Sequence, residues 1–178
     1  MTVELGTLDW APARERLEIL GAPVAAAVAA GGFGDELVAA EIDPELSDTA
    51  AFCERYGVAL AASANCVIVS GKREGVVRYA ACMVPANARA DVNGVIRKRL
   101  DVRKVSFAPM DTAVELTGME YGGITPVGLP ADWPVLVDEA VAAMPYAVIG
   151  SGVRRSKLAA PGKVLADLPG AEVLPLTM

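Results

Sequence analysis

Between Gly118 and Gly128 the chain reads Gly-Met-Glu-Tyr-Gly-Gly-Ile-Thr-Pro-Val-Gly. Four glycines and a proline in eleven residues exclude a regular helix, since glycine is conformationally permissive and proline lacks a backbone donor. The stretch also carries Met119, Tyr121, Ile124 and Val127, so it is expected to pack on the body of the protein along an irregular path. The adjacent Gly122 and Gly123 leave backbone N–H groups uncovered, which suits a site where the main chain approaches a ligand. A second glycine turn, Gly150-Ser151-Gly152, follows an apolar run and precedes Arg154, Arg155 and Lys157. Two such turns, with the hydroxyls of Thr125 and Ser151 and the nearby bases, make a cleft for a sugar, phosphate or acyl group held by backbone donors. Two unrelated structural turns are the competing reading. Neither loop has the G-x-x-x-x-G-K-[ST] spacing of a nucleotide-binding P-loop.

Histidine is absent from all 178 residues. Ser-His-Asp and Cys-His catalysis, a histidine general base and His-ligated zinc are therefore excluded within this chain. The three cysteines, Cys53, Cys66 and Cys82, form no C-x-x-C pair, and an odd count without a secretion signal reads as reduced thiols. Cys66 and Cys82 lie in apolar strand-like runs and read as small core residues. No metal and no cofactor are expected. Asp138 and Glu139 fall on a helix and read as solubilising charges.

Sixteen Lys and Arg against 22 Asp and Glu leave a net charge of −6. No global field draws in nucleic acid, and DNA binding is not expected; a polyanion would be held by local basic groups. Three such groups occur: Lys72, Arg73 and Arg78; Arg97, Lys98, Arg99, Arg103 and Lys104; and Arg154, Arg155 and Lys157. A solvated face is the plain reading of each, and the third stands out because it adjoins a glycine loop.

Elements must position these loops. Asp9–Leu20 reads as an N-terminal helix with Pro12 in its first turn. The Ala-rich run after Pro23 is ambiguous between helix and strand and stops at Gly31-Gly32-Phe33-Gly34. Leu37–Ile42 reads as a strand, and Ser47-Asp48-Thr49 as N-caps of a helix to Tyr56, closed by Gly57. Asn65–Ser70 and Val76–Val84 form a hairpin across Lys72–Gly75. A helix over Ala90–Leu100 ends in Arg97-Lys98-Arg99, which suits its dipole. Val102–Phe107 is a strand, Asp111–Leu116 a short helix. Val135–Val137 and Tyr146–Ile149 are strands, with a helix over Asp138–Met144 between them. A helix over Pro161–Leu168 and a strand over Val173–Leu176 follow. Strands and helices mix without βαβ alternation, which points to α+β with a mixed or antiparallel sheet.

Apolar residues make up 53% of the chain and mean hydropathy is +0.39. No apolar run approaches the roughly 18 residues of a spanning helix, and the first residues lack a signal peptide's basic start and apolar core. A soluble, cytoplasmic, single-domain protein without a membrane partner is expected.

The ordered series Asn65-Cys-Val-Ile-Val-Ser-Gly71, the strand ending near Pro85, the helix around Asp91–Leu100, Lys104-Val105, Glu115-Leu-Thr-Gly118, Gly122-Gly-Ile-Thr-Pro-Val-Gly128 and Gly150-Ser-Gly152 resembles the YbaK, or prolyl-tRNA-synthetase-associated, editing-domain family. The resemblance covers roughly residues 35–177, leaving 1–34 as an N-terminal helical extension packed on a 35–178 domain. It implies a mixed, barrel-like β-sheet surrounded by helices. It also implies hydrolysis, in trans, of the ester joining a small amino acid, alanine or cysteine, to a proline tRNA. The implied partners are a tRNA acceptor end and an aminoacyl-tRNA synthetase. By position, Gly122, Gly123, Ile124, Thr125 and Pro126 match the family's G-x-x-x-P loop lining the aminoacyl pocket. Gly150, Ser151 and Gly152 match the second loop, beside the terminal adenosine. Asn65 stands where many members carry a lysine that positions the acceptor end; a neutral amide there hydrogen-bonds but brings no charge.

With no histidine, the expected chemistry is backbone N–H groups of Gly122, Gly123, Gly150 and Ser151 holding the ester oxyanion while a water attacks. Asn65, Ile124, Thr125, Pro126, Gly152, Arg154 and Lys157 are the expected substrate-binding residues. An aminoacyl ester is already activated, so placement can suffice without a side-chain base. Ser151 lacks a base to make it a nucleophile. The other reading is a non-catalytic module that kept the fold to bind tRNA ends, nucleotides or a protein.

Overall fold

The computed structural model describes residues 5–33 and 35–178; Met1–Glu4 and the glycine stop expected at Gly34 lie outside them. The strands are β1 (Ala11–Pro12), β2 (Val38–Glu41), β3 (Ala64–Arg73), β4 (Val76–Pro85), β5 (Val105–Phe107), β6 (Val135–Asp138), β7 (Ala147–Gly150), β8 (Ser156–Ala160) and β9 (Ala171–Leu174). The helices are α1 (Ala22–Ala29), α2 (Thr49–Tyr56), α3 (Arg97–Leu100), α4 (Met110–Thr117), α5 (Glu139–Ala142) and α6 (Gly162–Ala166).

Two open sheets replace the expected barrel. One is antiparallel with order β1-β2-β8-β7; the other is mixed with order β5-β3-β4-β6-β9, where β4, β6 and β9 run parallel. Both keep free edges, so the sheet never closes on itself. A single bridge between Ser63 and Val148 joins the start of β3 to β7, and this seam between the sheets positions the site.

The β3–β4 hairpin is in register from Ala64↔Pro85 to Arg73↔Val76. Its two-residue turn, Glu74-Gly75, has φ of 52° and 81°, the doubly positive pattern that matches strand twist. α2 ends as expected at Gly57 in the left-handed conformation.

Three expectations fail locally. Asp9–Leu20 is not an α-helix: Pro12 pairs with Val38 in β1, Ala13 N–H donates to the Leu37 carbonyl at 2.8 Å, and two short 3-10 turns follow. The helix over Ala90–Leu100 breaks at Gly94, whose φ/ψ of −97°/−106° is non-helical; its N–H is taken by the Asp91 carboxylate at 3.1 Å. β8, where no element was expected, is a central strand whose five residues are all buried.

The largest core lies between the sheets and takes Val24 and Val28 from α1, Met83, Val137, Ile149 and Leu158. A second fills the far face of β4 and β6 with Ile96, Leu100 and Leu176, and a third packs Phe52 of α2 on Val38, Val148 and Ala159.

Asp138 ties the C-terminal segment to this frame. It is 3% exposed, caps α5 by accepting from Ala140 N–H at 2.9 Å, and accepts from Leu176 N–H at 2.8 Å. Asp138→Ala orphans both buried donors and should cost about 2–3 kcal/mol in urea unfolding. Asp138→Asn, which keeps one acceptor, should cost less.

Candidate functional site

A cavity of about 370 Å³ opens at the seam. Its walls come from the segment entering α2 (Ser47, Asp48, Thr49, Phe52), the start of β3 (Ser63–Ile68), the β5–α4 corner, the glycine loop (Tyr121, Gly122, Ile124), the end of β7, and Lys157 of β8.

The two glycine loops are laced back to back. Gly152 N–H donates to the Gly123 carbonyl at 2.6 Å, Glu120 N–H to the Gly152 carbonyl at 2.9 Å, and Gly123 N–H to the Glu120 carbonyl at 2.9 Å. Side chains have no room here. A Cβ at Gly150 would stand 2.6 Å from the Gly123 oxygen, and one at Gly123 would stand 2.7 Å from the Val153 oxygen. At Gly122, by contrast, a Cβ would make only ordinary contacts, 3.6 Å from Ser47 Oγ and 3.8 Å from the Arg154 stem, but φ is +90°, which a side chain would strain.

This lacing decides which donors are free. The N–H groups of Gly123 and Gly152 are spent within the loops. Those of Gly122 and Ile124, both on the cavity wall, have no hydrogen-bond partner among the described residues.

Of the expected site residues, Asn65, Gly122, Ile124, Gly150 and Lys157 meet around the cavity; Gly123, Thr125, Pro126, Ser151, Gly152 and Arg154 do not line it. Ser151 is fully buried, with its hydroxyl engaged by the Val153 and Ser156 carbonyls and the Ser156 hydroxyl at 2.7–3.1 Å. That bracing joins the second loop to β8. Thr125 Oγ1 is buried with no partner among the described residues.

Among the described residues Lys157 is the one cation on the cavity wall, and it is only 8% exposed. Its ammonium donates to the Ser47 carbonyl at 3.1 Å and lies 5.2 Å from the centre of the Phe52 ring. Burial holds its pKa below the ordinary lysine value; the nearby Cys53 and Asp48 pull weakly the other way. An ammonium has three donors, and the Ser47 carbonyl is its one hydrogen-bond acceptor among the described residues.

Ser47 also takes Arg154 Nε at 3.0 Å on its hydroxyl, while Arg154 N–H donates to Glu120 at 2.7 Å. Ser47 thus ties the approach to α2 to both glycine loops. Opposite Lys157, Asn65 accepts from the Thr49 hydroxyl at 3.0 Å, which fixes its amide with the Nδ2 donors left over. Sequence reasoning had placed neither Ser47 nor Phe52 in the site. They lie 110 and 105 residues from Lys157, and no local motif links them.

The thiols are quiet. Desolvation pushes Cys66, on the cavity wall, far above its ordinary value, and Cys82 up to about 12. Neither is a thiolate at neutral pH. Among the described residues, no three Cys, Asp or Glu side chains gather as metal ligands, and no helix is long and apolar enough to cross a membrane.

The model of the aminoacyl-tRNA editing domain matches residues 43–168, which include every wall of the cavity. Among solved structures, a candidate trans-editing enzyme for prolyl tRNA synthetase is similar at 24% identity and TM-score 0.74, with 88% of this chain and 95% of that chain covered. A scaffold protein used for computational grafting of linear epitopes is similar at 23% identity and TM-score 0.76, covering 89% and 97%. The hypothetical protein APE2540 follows at 23% identity, TM-score 0.66, covering 74% and 85%. These are likenesses of fold. No match is found among curated protein sequences.

Because the Thr125 hydroxyl is buried and unpaired, Thr125→Val should leave the loop geometry intact and raise stability by about 1 kcal/mol, read as a higher urea midpoint at unchanged slope.

Proposed function

The chain belongs to the aminoacyl-tRNA editing domain family, and on that premise we propose that it is an aminoacyl-tRNA deacylase that hydrolyses the ester of a tRNA mischarged with a small amino acid, alanine or cysteine on a proline tRNA, in trans. The observation that carries this reading is the meeting of a buried ammonium and two free backbone donors around one cavity. These are Lys157, Gly122 N–H and Ile124 N–H. Such donors suit an ester carbonyl whose oxygen gains charge as water adds.

The substrate brings its own polarity. An aminoacyl ester carries an α-ammonium beside its carbonyl, and among the described residues the cavity wall offers one carboxylate, Asp48, as well as one cation. We assign Asp48 to the ammonium and Lys157 to the carbonyl oxygen, an orientation that presents the carbonyl carbon to a water. Addition of that water forms the tetrahedral oxyanion. Collapse breaks the acyl C–O bond, releasing the free amino acid, and the water's proton passes to the ribose oxygen. A terminal ribose hydroxyl or a backbone carbonyl can orient the water, so no histidine is needed. Ile68, Ile124 and Ile149 bound the room left for a side chain, which favours small amino acids through excluded volume.

The first test is release of amino acid from alanyl- and cysteinyl-tRNA charged on a proline tRNA, with protein in catalytic amounts. Turnover is expected, and Gly122→Ala should lower kcat about 10²-fold by straining the loop that holds a donor. A folded wild-type protein that releases nothing from these or other small aminoacyl-tRNAs would leave the non-catalytic binding module as the reading.

Lys157 has its own signature. If its ammonium holds the oxyanion, activity above the spontaneous rate falls as pH rises through its depressed pKa, below the ordinary lysine range. Below that pKa Lys157→Met should lose about 10²-fold in kcat, with the two proteins converging above it, while Lys157→Arg retains more activity and moves the alkaline limb out of range. Stability has the opposite sign. Between the depressed folded value and the normal unfolded one, the unfolded chain binds more protons, so unfolding free energy rises with pH across that window. That rise should vanish in Lys157→Met.

A further inference from the structure

The chain has two Trp, four Tyr and three Phe, and among the described residues only Phe107 and Tyr121 are exposed, at 60% and 58%. Both line the cavity. Met110, 51% exposed, lines it too. Isolated exposed apolar side chains are ordinary, but convergence of both exposed aromatic rings and a methionine on one mouth marks a contact surface. We propose that this mouth is a stacking platform for the unpaired terminal base of an RNA 3′ end, with the strand's phosphates following the edge of β5. The assignment rests on the deacylase reading above and names how that substrate is gripped.

Charge chooses the occupant. β5 is an edge strand, and Arg103 and Lys104 immediately precede it while Phe107 ends it. Gly71 of β3 pairs with Val105, which brings Lys72 to the same end as Lys104. Lys72, Arg103 and Lys104 are exposed and form no ion pair among the described residues. The neighbouring Asp101 is already engaged by Arg73 and Arg78 at 3.3 and 3.5 Å, and Asp111 lies in the first turn of α4. From Lys104 to Phe107 the strand rises roughly 10 Å. A cationic edge leading to two exposed rings is the layout that single-stranded nucleic acid uses, phosphates on the cations and bases on the rings. In a protein of net charge −6 this local strip is what makes a polyanion's approach favourable. An apolar protein partner would not call for unpaired cations beside the rings.

The test uses an uncharged acceptor-stem hairpin whose terminal adenine is replaced by 2-aminopurine, so stacking is read without turnover. Wild-type protein should quench the probe on binding. Phe107→Ala and Tyr121→Ala should each weaken binding about tenfold and reduce the quench at saturation, and Phe107→Trp should keep both. Lys104→Ala should lower the salt slope by about 1 while leaving the saturated quench unchanged. Phe107 is exposed, so its truncation leaves the cores intact. Binding without quench, equal affinity and quench in Phe107→Ala, or no binding by wild-type protein would each overturn the platform. A wild-type protein that quenches the probe but hydrolyses no aminoacyl-tRNA would support the platform and sink the deacylase reading. Hydrolysis with a KM indifferent to Phe107→Ala would do the reverse.

Discussion

The structure depends on how closely two backbone loops approach each other. Gly150, Gly123 and Gly152 stack so tightly that a Cβ at Gly150 or Gly123 would collide with main-chain atoms, and one at Gly152 would meet Val24 Cγ2 at 2.8 Å. Gly21 continues the stack, since a Cβ there would lie 2.9 Å from Gly152 Cα. This contact couples α1, the first glycine loop and the β7–β8 turn into one body. It also spends the N–H groups of Gly123 and Gly152 on the lacing, while those of Gly122 and Ile124 on the cavity wall keep no partner among the described residues. The same close packing that stabilises the loops therefore selects which amides remain for a ligand.

The buried ammonium of Lys157 is the second constraint, and it follows from the first. β8 is held beside β7 by the register Gly150↔Lys157, so the strand that leaves the glycine turn delivers its lysine to the cavity. Burying a charge opposes folding unless partners compensate. Here the Ser47 carbonyl and the Phe52 ring compensate in part, and the lowered pKa marks the remainder. A fully neutralised lysine, locked in an ion pair, would have little left to offer an incoming oxygen. The incomplete solvation of Lys157 is what a ligand carbonyl can relieve, and Asn65, neutral and fixed by Thr49, leaves it the wall's only cation among the described residues.

Much of this was legible in the sequence, with identifiable physical limits. The β3–β4 hairpin and α2 carried strong local signals: β-branched runs, a polar turn and a glycine stop, all of which act over a few residues. The glycine loops were legible as loops, yet composition could not show that they touch. β8 was illegible because Ser-Lys-Leu-Ala-Ala is buried along its whole length and shows no alternation, as expected of a strand covered on both faces. Without β8, Lys157 was expected to bind substrate only as one of a basic group with Arg154 and Arg155, and its burial could not be foreseen. The helix read over Asp9–Leu20 failed because tertiary pairing to β2 outweighed a partial apolar periodicity. The open pair of sheets, where a barrel was expected, is a matter of edges that no single strand encodes.

The absence of histidine becomes intelligible when the walls of the cavity are considered together. A side-chain base is required when the leaving group is poor or the electrophile unactivated; an aminoacyl ester is neither, and its own ammonium and ribose supply polarity and hydroxyls. On the proposed deacylase reading, what remains for the protein is to fix the carbonyl against donors that need no reorganisation and to exclude large side chains. Backbone amides held in a glycine lattice meet the first need better than flexible side chains, because their direction is set by the fold. A rigid lattice with a single buried cation therefore does by placement what a proton-shuttling residue does elsewhere by titration. The price is intolerance of any side chain at the laced glycines, a constraint that falls on the fold and the site at once.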